Sequence, residues 1–259
     1  MYKKYSILLL AFFVINVSAE TPEEKGLAIA QEVDKRDLGW SDVTSDLHMI
    51  LKNSQGEESV RKIRLKTLEV GGDGDKSLTI FDSPKDVKGT AFLSFTHSVK
   101  ADDQWLFLPA LKRVKRISSS NKSGPFMGSE FAFEDLSSFE VDKYKYKYLR
   151  DESLGEREAF VVENYPQYKH SGYKKIVVWI DKEIYMPLKF EFYDRKNSLL
   201  KTLTFNDYKQ YLGKYWRPDN QYMINHQSKK STVLEWSNYK FKVGLSDRDF
   251  DKNSLKRAR

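Results

Sequence analysis

Four histidines, five loop serines and two adjacent carboxylates are the residues of this chain whose types suggest bond-breaking chemistry, and their spacing argues against it. His48, His97, His170 and His226 lie far apart and share no metal-ligand spacing. Ser118, Ser119, Ser120, Ser123 and Ser129 fall in or beside one loop, with no Gly-x-Ser-x-Gly elbow and no histidine close in sequence. A Ser–His pair assembled only by folding would make a hydrolase, and that alternative stays open. Glu134 and Asp135 could form a carboxylate dyad, but Arg113 and Arg116 are their expected partners. Cysteine is absent, which excludes thiol nucleophiles, thiolate zinc sites and redox roles. No catalytic residue, metal or cofactor is therefore expected.

The chemistry that remains is binding. Between Asp102 and Leu136 an aromatic strand leads through a compact basic cluster into a Ser/Gly-rich loop, and a second aromatic segment with acids follows. Such a stretch suits a ligand that is apolar with a charged end. The candidate apolar lining is Leu93, Phe95, Trp105 and Phe107, together with Phe190 and Phe192. Lys112, Arg113 and Arg116 are the candidate contacts for a headgroup phosphate or a partner, through charge-assisted hydrogen bonds.

The elements that must position these groups are mostly strands. Residues 1–19 read as a secretory signal: Lys3 and Lys4, an apolar run from Ile7 to Val17, then Val17-Ser18-Ala19 as a small-residue cleavage pattern. The run is shorter than the ~20 residues that a membrane span needs, and no cysteine follows it for lipid attachment. Residues 20–259 are expected to form one exported domain. Two of the cations behind the net charge of +7 lie in the leader, so the exported chain is mildly basic. That suits an anionic lipid surface, and nucleic acid is not an expected partner. A helix should open this domain: Thr21 is a good N-cap, Pro22 fits the first helical position and Glu24 completes a capping box.

Period-two patterns follow, with candidate strands over Val43–Lys52, Val60–Val70, Ser77–Ser83, Thr90–Ser98, Gln104–Leu108 and Lys112–Ser118. Later ones cover Lys143–Asp151, Ala159–Asn164, Lys175–Asp181, Leu188–Tyr193, Lys201–Tyr211, Tyr215–Asn225 and Thr232–Lys242. Gly71-Gly72-Asp73-Gly74 reads as a hairpin turn, Pro109-Ala110 as another, and Ser246 with Asp249 as a helix start in the tail. So many short antiparallel strands in one twisted sheet curl into a barrel or half-barrel. Tyr144, Tyr146 and Tyr148 alternate with lysines, as do Leu188, Phe190 and Phe192 with Lys189 and Glu191. Those strands have one wet face. Ala91–Phe95 and Trp105–Leu108 are apolar on both faces and need two covers, the N-terminal helix on one side and a loop or the C-terminal tail on the other. The enclosed space is either an apolar cavity or a packed core.

One motif narrows the choice. Trp105-Leu106-Phe107-Leu108-Pro109-Ala110-Leu111-Lys112-Arg113-Val114-Lys115-Arg116-Ile117 resembles the W-x-Y-L-P-x-x-x-R-V-R-R-I stretch of LolA-like outer-membrane lipoprotein-sorting proteins. Phe126-Met127-Gly128-Ser129-Glu130-Phe131 and Phe133-Glu134-Asp135-Leu136 are similar to their F-x-G-S-D-F-x-Y-E-D-L, and Asp86–Ala91 to their D-I-K-G-T-A. Phe107, Lys115, Glu130 and Phe133 depart mildly from that pattern. The resemblance implies the LolA/LolB-like architecture: mainly β, a single unclosed antiparallel β-barrel with an N-terminal helix and short helices as a lid over an apolar cavity. It also implies a periplasmic carrier of lipid or lipoprotein acyl chains, monomeric, touching membranes transiently. A non-catalytic accessory of an inner-membrane transporter is the other alternative.

Overall fold

The computed structural model describes residues 19–253 and 255–257; the expected leader, apart from Ala19, lies outside them. Helix α1 (Pro22–Asp37) starts as its sequence dictates. The Thr21 hydroxyl oxygen accepts from Glu24 N at 3.2 Å, and the Glu24 carboxylate accepts from Thr21 N at 2.8 Å. One face of the helix buries Gly26, Ile29 and Ala30. Gly26 is required for this packing, because a Cβ there would lie 2.9 Å from Tyr148 N and 3.0 Å from Lys147 N.

Thirteen strands form one antiparallel sheet. Six run in the first half: β1 (Asp42–Lys52), β2 (Glu58–Leu68), β3 (Lys76–Ser83), β4 (Ala91–Phe95), β5 (Asp103–Leu108) and β6 (Arg113–Arg116). Seven follow: β7 (Tyr144–Leu154), β8 (Arg157–Pro166), β9 (Tyr173–Asp181), β10 (Pro187–Asp194), β11 (Leu199–Tyr211), β12 (Tyr215–Asn225) and β13 (Ser231–Phe241). Each expected strand is present, and β4 and β6 are shorter than their apolar patterns suggested. The halves are two meanders joined by β1 pairing with β13, in the order β6-β5-β4-β3-β2-β1-β13-β12-β11-β10-β9-β8-β7. The sheet is not closed: β6 and β7 are its free edges. The mainly β, unclosed half-barrel is the architecture of this chain.

Topology fixes what covers the concave face. Residues 117–143 connect β6 and β7, at opposite edges, by crossing the mouth of the half-barrel, where Phe126 meets Phe92 and Asp135 meets Lys201. Helix α1 lies beside this strap, packing on β7, and Asp37 at its end binds Arg217 of β12 at 2.7 Å. The main core sits between these covers and the sheet: Leu47, Met49, Ile63, Phe81, Phe92 and Val178 are among its buried members. The convex face has its own apolar patch. There Leu78, Ile80, Ala91, Leu93 and Phe107 are sealed by Phe250 and Leu255 of the C-terminal tail. Salt bridges Lys66–Asp249 (3.3 Å) and Lys76–Asp247 (2.6 Å) hold that tail down. Strands apolar on both faces receive two covers, but the concave cover of β4 is the strap and not the expected helix, since α1 packs on β7.

Candidate functional site

The strap is built by the motif residues themselves. Pro125 bridges to Ala132, closing a small hairpin whose turn residues Met127 and Gly128 both have positive φ, 50° and 80°. Ser129 Oγ donates to Phe126 O at 2.7 Å inside that hairpin. The ring of Phe126 drops into the core against Phe81, Phe92 and Phe133, with centroids 5.9, 5.1 and 5.4 Å away. The hairpin reaches the sheet through Asn225 Nδ2 to Glu130 Oε2 (2.7 Å) and Glu130 N to Thr232 Oγ1 (3.0 Å).

Beyond the hairpin, two acids tie the strap to the far half of the sheet. Glu134 accepts from Gly172 N at 2.8 Å, Ser171 Oγ at 2.9 Å and the Tyr168 hydroxyl at 3.0 Å. Burial, and then the neighbouring Asp135, push the Glu134 carboxyl above its ordinary range. Asp135 accepts from Lys201 Nζ at 2.6 Å, the Tyr173 hydroxyl at 2.7 Å and Ala132 N at 2.7 Å. The Lys201 and Asp135 side chains are only 4% and 8% exposed. Burial, reinforced by Asp135, holds the Tyr173 hydroxyl well above its usual pKa.

Among the described residues, two cavities with several aromatic rings in their walls lie between the covers and the concave face. The upper one, about 510 Å³, has Phe131, Ile176, Phe190, Phe192 and Leu203 in its walls. Asp102, Lys122 and Lys143 line the same cavity. The lower one, about 750 Å³, lies between α1 and the sheet, with Trp40, Leu65, Phe205 and Trp236 among its apolar walls. Acids surround it: Asp34, Asp37, Glu69, Asp75, Glu140 and Asp142. Burial pushes Asp75 up to about 6 and Glu140 up to about 7. Ser138 and Phe139 line both spaces, so this end of the strap is the partition between them. Volumes in this range and walls rich in aromatic rings with a few polar groups are those of small-molecule sites.

An open half-barrel with a covered apolar interior has close counterparts. A candidate outer membrane lipoprotein-sorting protein domain from Vibrio parahaemolyticus is 62% identical over 91% of this chain and all of that one, with a TM-score of 0.89. The chain belongs to the same family as this outer-membrane lipoprotein-sorting protein domain. Residues 73–257 match a family model described as an uncharacterized protein. A DUF1329 family protein from Desulfovibrio piger is 30% identical over 91% of this chain and 99% of its own, TM-score 0.86. A LolA superfamily protein from Nitrosomonas europaea shares the fold at 23% identity, covering 88% and 98%, TM-score 0.70. No curated protein sequence matches the chain.

Within this LolA-like frame the expected lining residues separate. Phe190 and Phe192 are in the upper cavity wall. Leu93, Phe95, Trp105 and Phe107 are not brought to them: they lie on the convex face, in the cluster sealed by the C-terminal tail. The reason is a one-residue register, since adjacent side chains on a strand point to opposite faces. Their neighbours Phe92 and Leu106 occupy the concave core instead. Leu188 also departs from the face of Phe190, joining an outer cluster with Val161 and Trp179 where a register irregularity interrupts the pairing of β9 with β10.

The basic cluster is corrected as well. Arg113 and Arg116 do not pair with Glu134 and Asp135; those acids bind the β8–β9 turn and Lys201. Arg116 pairs with Asp103 on the adjacent strand. Lys112 and Arg113 are exposed and have no ion pair among the described residues. The fold places none of the three in either cavity wall. The histidines are equally dispersed. His97 Nδ1 lies 2.8 Å from Asp73, His226 Nε2 lies 2.7 Å from Thr202, and His48 is 3.9 Å from Glu235. Lysines 122, 143 and 201, which do shape the upper cavity and its strap, carried no local signal; their partners lie 20, 41 and 66 residues away.

Proposed function

We propose that the protein is a periplasmic carrier that shelters the acyl chains of a lipoprotein or lipid on its concave face and delivers them toward the outer membrane. In this reading residues 1–19 are the cleaved leader and residues 20–259 a single carrier domain acting as a monomer. The observation that carries it is the upper cavity: an aromatic and aliphatic pocket inside an unclosed sheet, roofed by a strap that side-chain contacts hold in place. Each methylene removed from water contributes ~0.8 kcal/mol, so a dozen supply on the order of 10 kcal/mol with no reaction needed. Phe131, Ile176, Phe190, Phe192 and Leu203 are the proposed acyl contacts. Release requires the strap to lift. Lys112 and Arg113, beside the exposed Leu111 at the β5–β6 tip, suit a transient contact with an anionic bilayer.

Native mass spectrometry of the protein taken from membrane-containing extracts tests this reading, paired with displacement of a fluorescent fatty-acyl probe. A carrier retains lipid, and added fatty acid or phospholipid displaces the probe. Repeated recovery of empty protein, with no displacement, would overturn it. Recovery of an inner-membrane transporter with an empty cavity would support the accessory role, and turnover of a fluorogenic phospholipid would support a hydrolase.

A further inference from the structure

The upper cavity carries a charge arrangement that its fold does not explain. Lys122 and Lys143 come from opposite ends of the strap, and both ammonium groups converge on Asp102. All three side chains are about nine-tenths buried, at 10%, 10% and 11% exposure. Lys143 Nζ donates to Asp102 Oδ1. Lys122 Nζ donates to Asp102 O at 2.6 Å and lies 3.7 Å from Oδ2. The same carboxylate also accepts from His97 N at 3.1 Å and from Ser137 Oγ at 2.8 Å.

One carboxylate therefore faces two ammonium groups and accepts from two other donors as well. Each ammonium has three N–H donors, and the contacts above leave donors on both. The other carboxylates of this cavity are committed elsewhere, Asp135 to Lys201 and Glu134 to the β8–β9 turn. Asp103 is held by Arg116 and His97. Glu140 approaches Lys143 from the lower cavity, where burial disfavours its charged form. Lys100, Lys169 and His170 line the cavity too and add no negative charge. The lower cavity has the opposite lining, acids with Arg217 as the cation. A ligand with a negative end is thus favoured on one side of the Phe139 partition and repelled on the other.

Resting on the carrier reading, we propose that Lys122 and Lys143 form a headgroup subsite for an anionic oxygen group, carboxylate or phosphate, whose acyl chain runs along Phe190, Phe192 and Leu203. The cargo is then an anionic amphiphile, oriented head-first toward Asp102.

Isothermal titration of the delipidated full-length mature protein tests this with laurate, lauroyl lysophosphatidic acid, monolaurin, dodecylamine and inorganic phosphate. The expected result is that laurate and the lysophosphatidic acid bind roughly tenfold more tightly than monolaurin, the effect of one charge-assisted hydrogen bond, with dodecylamine weaker still. Lys122→Met should abolish that preference, while Lys122→Arg retains it; the comparison of ligands on the unmutated protein needs no variant to fold. Equal binding of laurate and monolaurin would overturn the subsite and leave the carrier reading intact. Inorganic phosphate binding as tightly as the lysophosphatidic acid would show a free-anion site and overturn the lipid headgroup. Failure of every amphiphile to bind would overturn both.

Discussion

Lys201→Met is the change that most directly probes the roof over the cavity. Its ammonium, on β11, holds two points of the strap, Asp135 Oδ2 at 2.6 Å and Glu130 O at 2.9 Å. It also lies 5.0 Å from the ring centre of Phe192 and 5.2 Å from that of Tyr173. Removing it leaves the Asp135 carboxylate buried with only the Tyr173 hydroxyl and Ala132 N as donors. Breaking one partner out of a buried pair costs about 3–5 kcal/mol. Because two donors stay and methionine fills much of the lysine volume, we expect the lower end, about 3 kcal/mol, in urea unfolding followed by tryptophan fluorescence. Adding Asp135→Asn removes the stranded charge, and its amide oxygen can still accept from Ala132 N while its NH2 donates to the Tyr173 hydroxyl oxygen. The double variant should therefore recover part of the loss, with a coupling energy of about 1–2 kcal/mol between the two sites. A bound acyl probe should also leave Lys201→Met faster than the unmutated protein. A loss under about 1 kcal/mol with strictly additive single changes would refute the argument that this pair fastens the strap.

Gly26→Ala replaces a helix-interior glycine, which by propensity alone gains about 1 kcal/mol, yet the new Cβ meets the β7 backbone at 2.9 Å. The sign of the change in melting temperature decides, and we expect a decrease. Asp75 and Glu140 bear on pH dependence. Their folded-state values of about 6 and about 7 stand above the ordinary 3.8 and 4.5, so the folded protein favours their protonated forms. Their contribution to stability is whole below the ordinary values and is lost as pH rises through 6 to 7. The protein should melt higher at pH 5 than at pH 8, and Glu140→Gln should narrow that gap; an unchanged gap would exclude Glu140 as its source. Finally, Phe192→Ala should weaken acyl-probe binding, whereas Phe107→Ala, under the tail, should cost about 3–5 kcal/mol of stability and leave probe affinity unchanged. Equal loss of probe affinity in both variants would contradict the assignment of faces.

The helix and the strands were legible because their causes are local. Thr21, Pro22 and Glu24 cap a helix wherever it sits, and alternation of tyrosines with lysines on β7 sets a strand with one wet face. The large number of antiparallel strands also pointed to a curled sheet. Faces were less legible where strands are apolar on both sides, since Leu93 and Phe92 are equally apolar and the tail that distinguishes them is some 150 residues away. That misassigned Leu93, Phe95, Trp105 and Phe107 to the cavity. The strap's ties were invisible for the same reason. Asp135 finds Lys201 at a separation of 66 residues, Glu134 finds Gly172 at 38 and Lys143 finds Asp102 at 41. A carboxylate's partner is chosen by which cation the fold brings within hydrogen-bond reach once water is excluded, and the nearest arginines in sequence lie on the exposed edge strand instead. By itself the sequence determined the elements, their curling into one antiparallel sheet, and the family. Only the tertiary structure decided that residues 117–143 roof the half-barrel, because Phe126 packs on Phe81 and Phe92 and Asp135 binds Lys201, partners that only folding brings together.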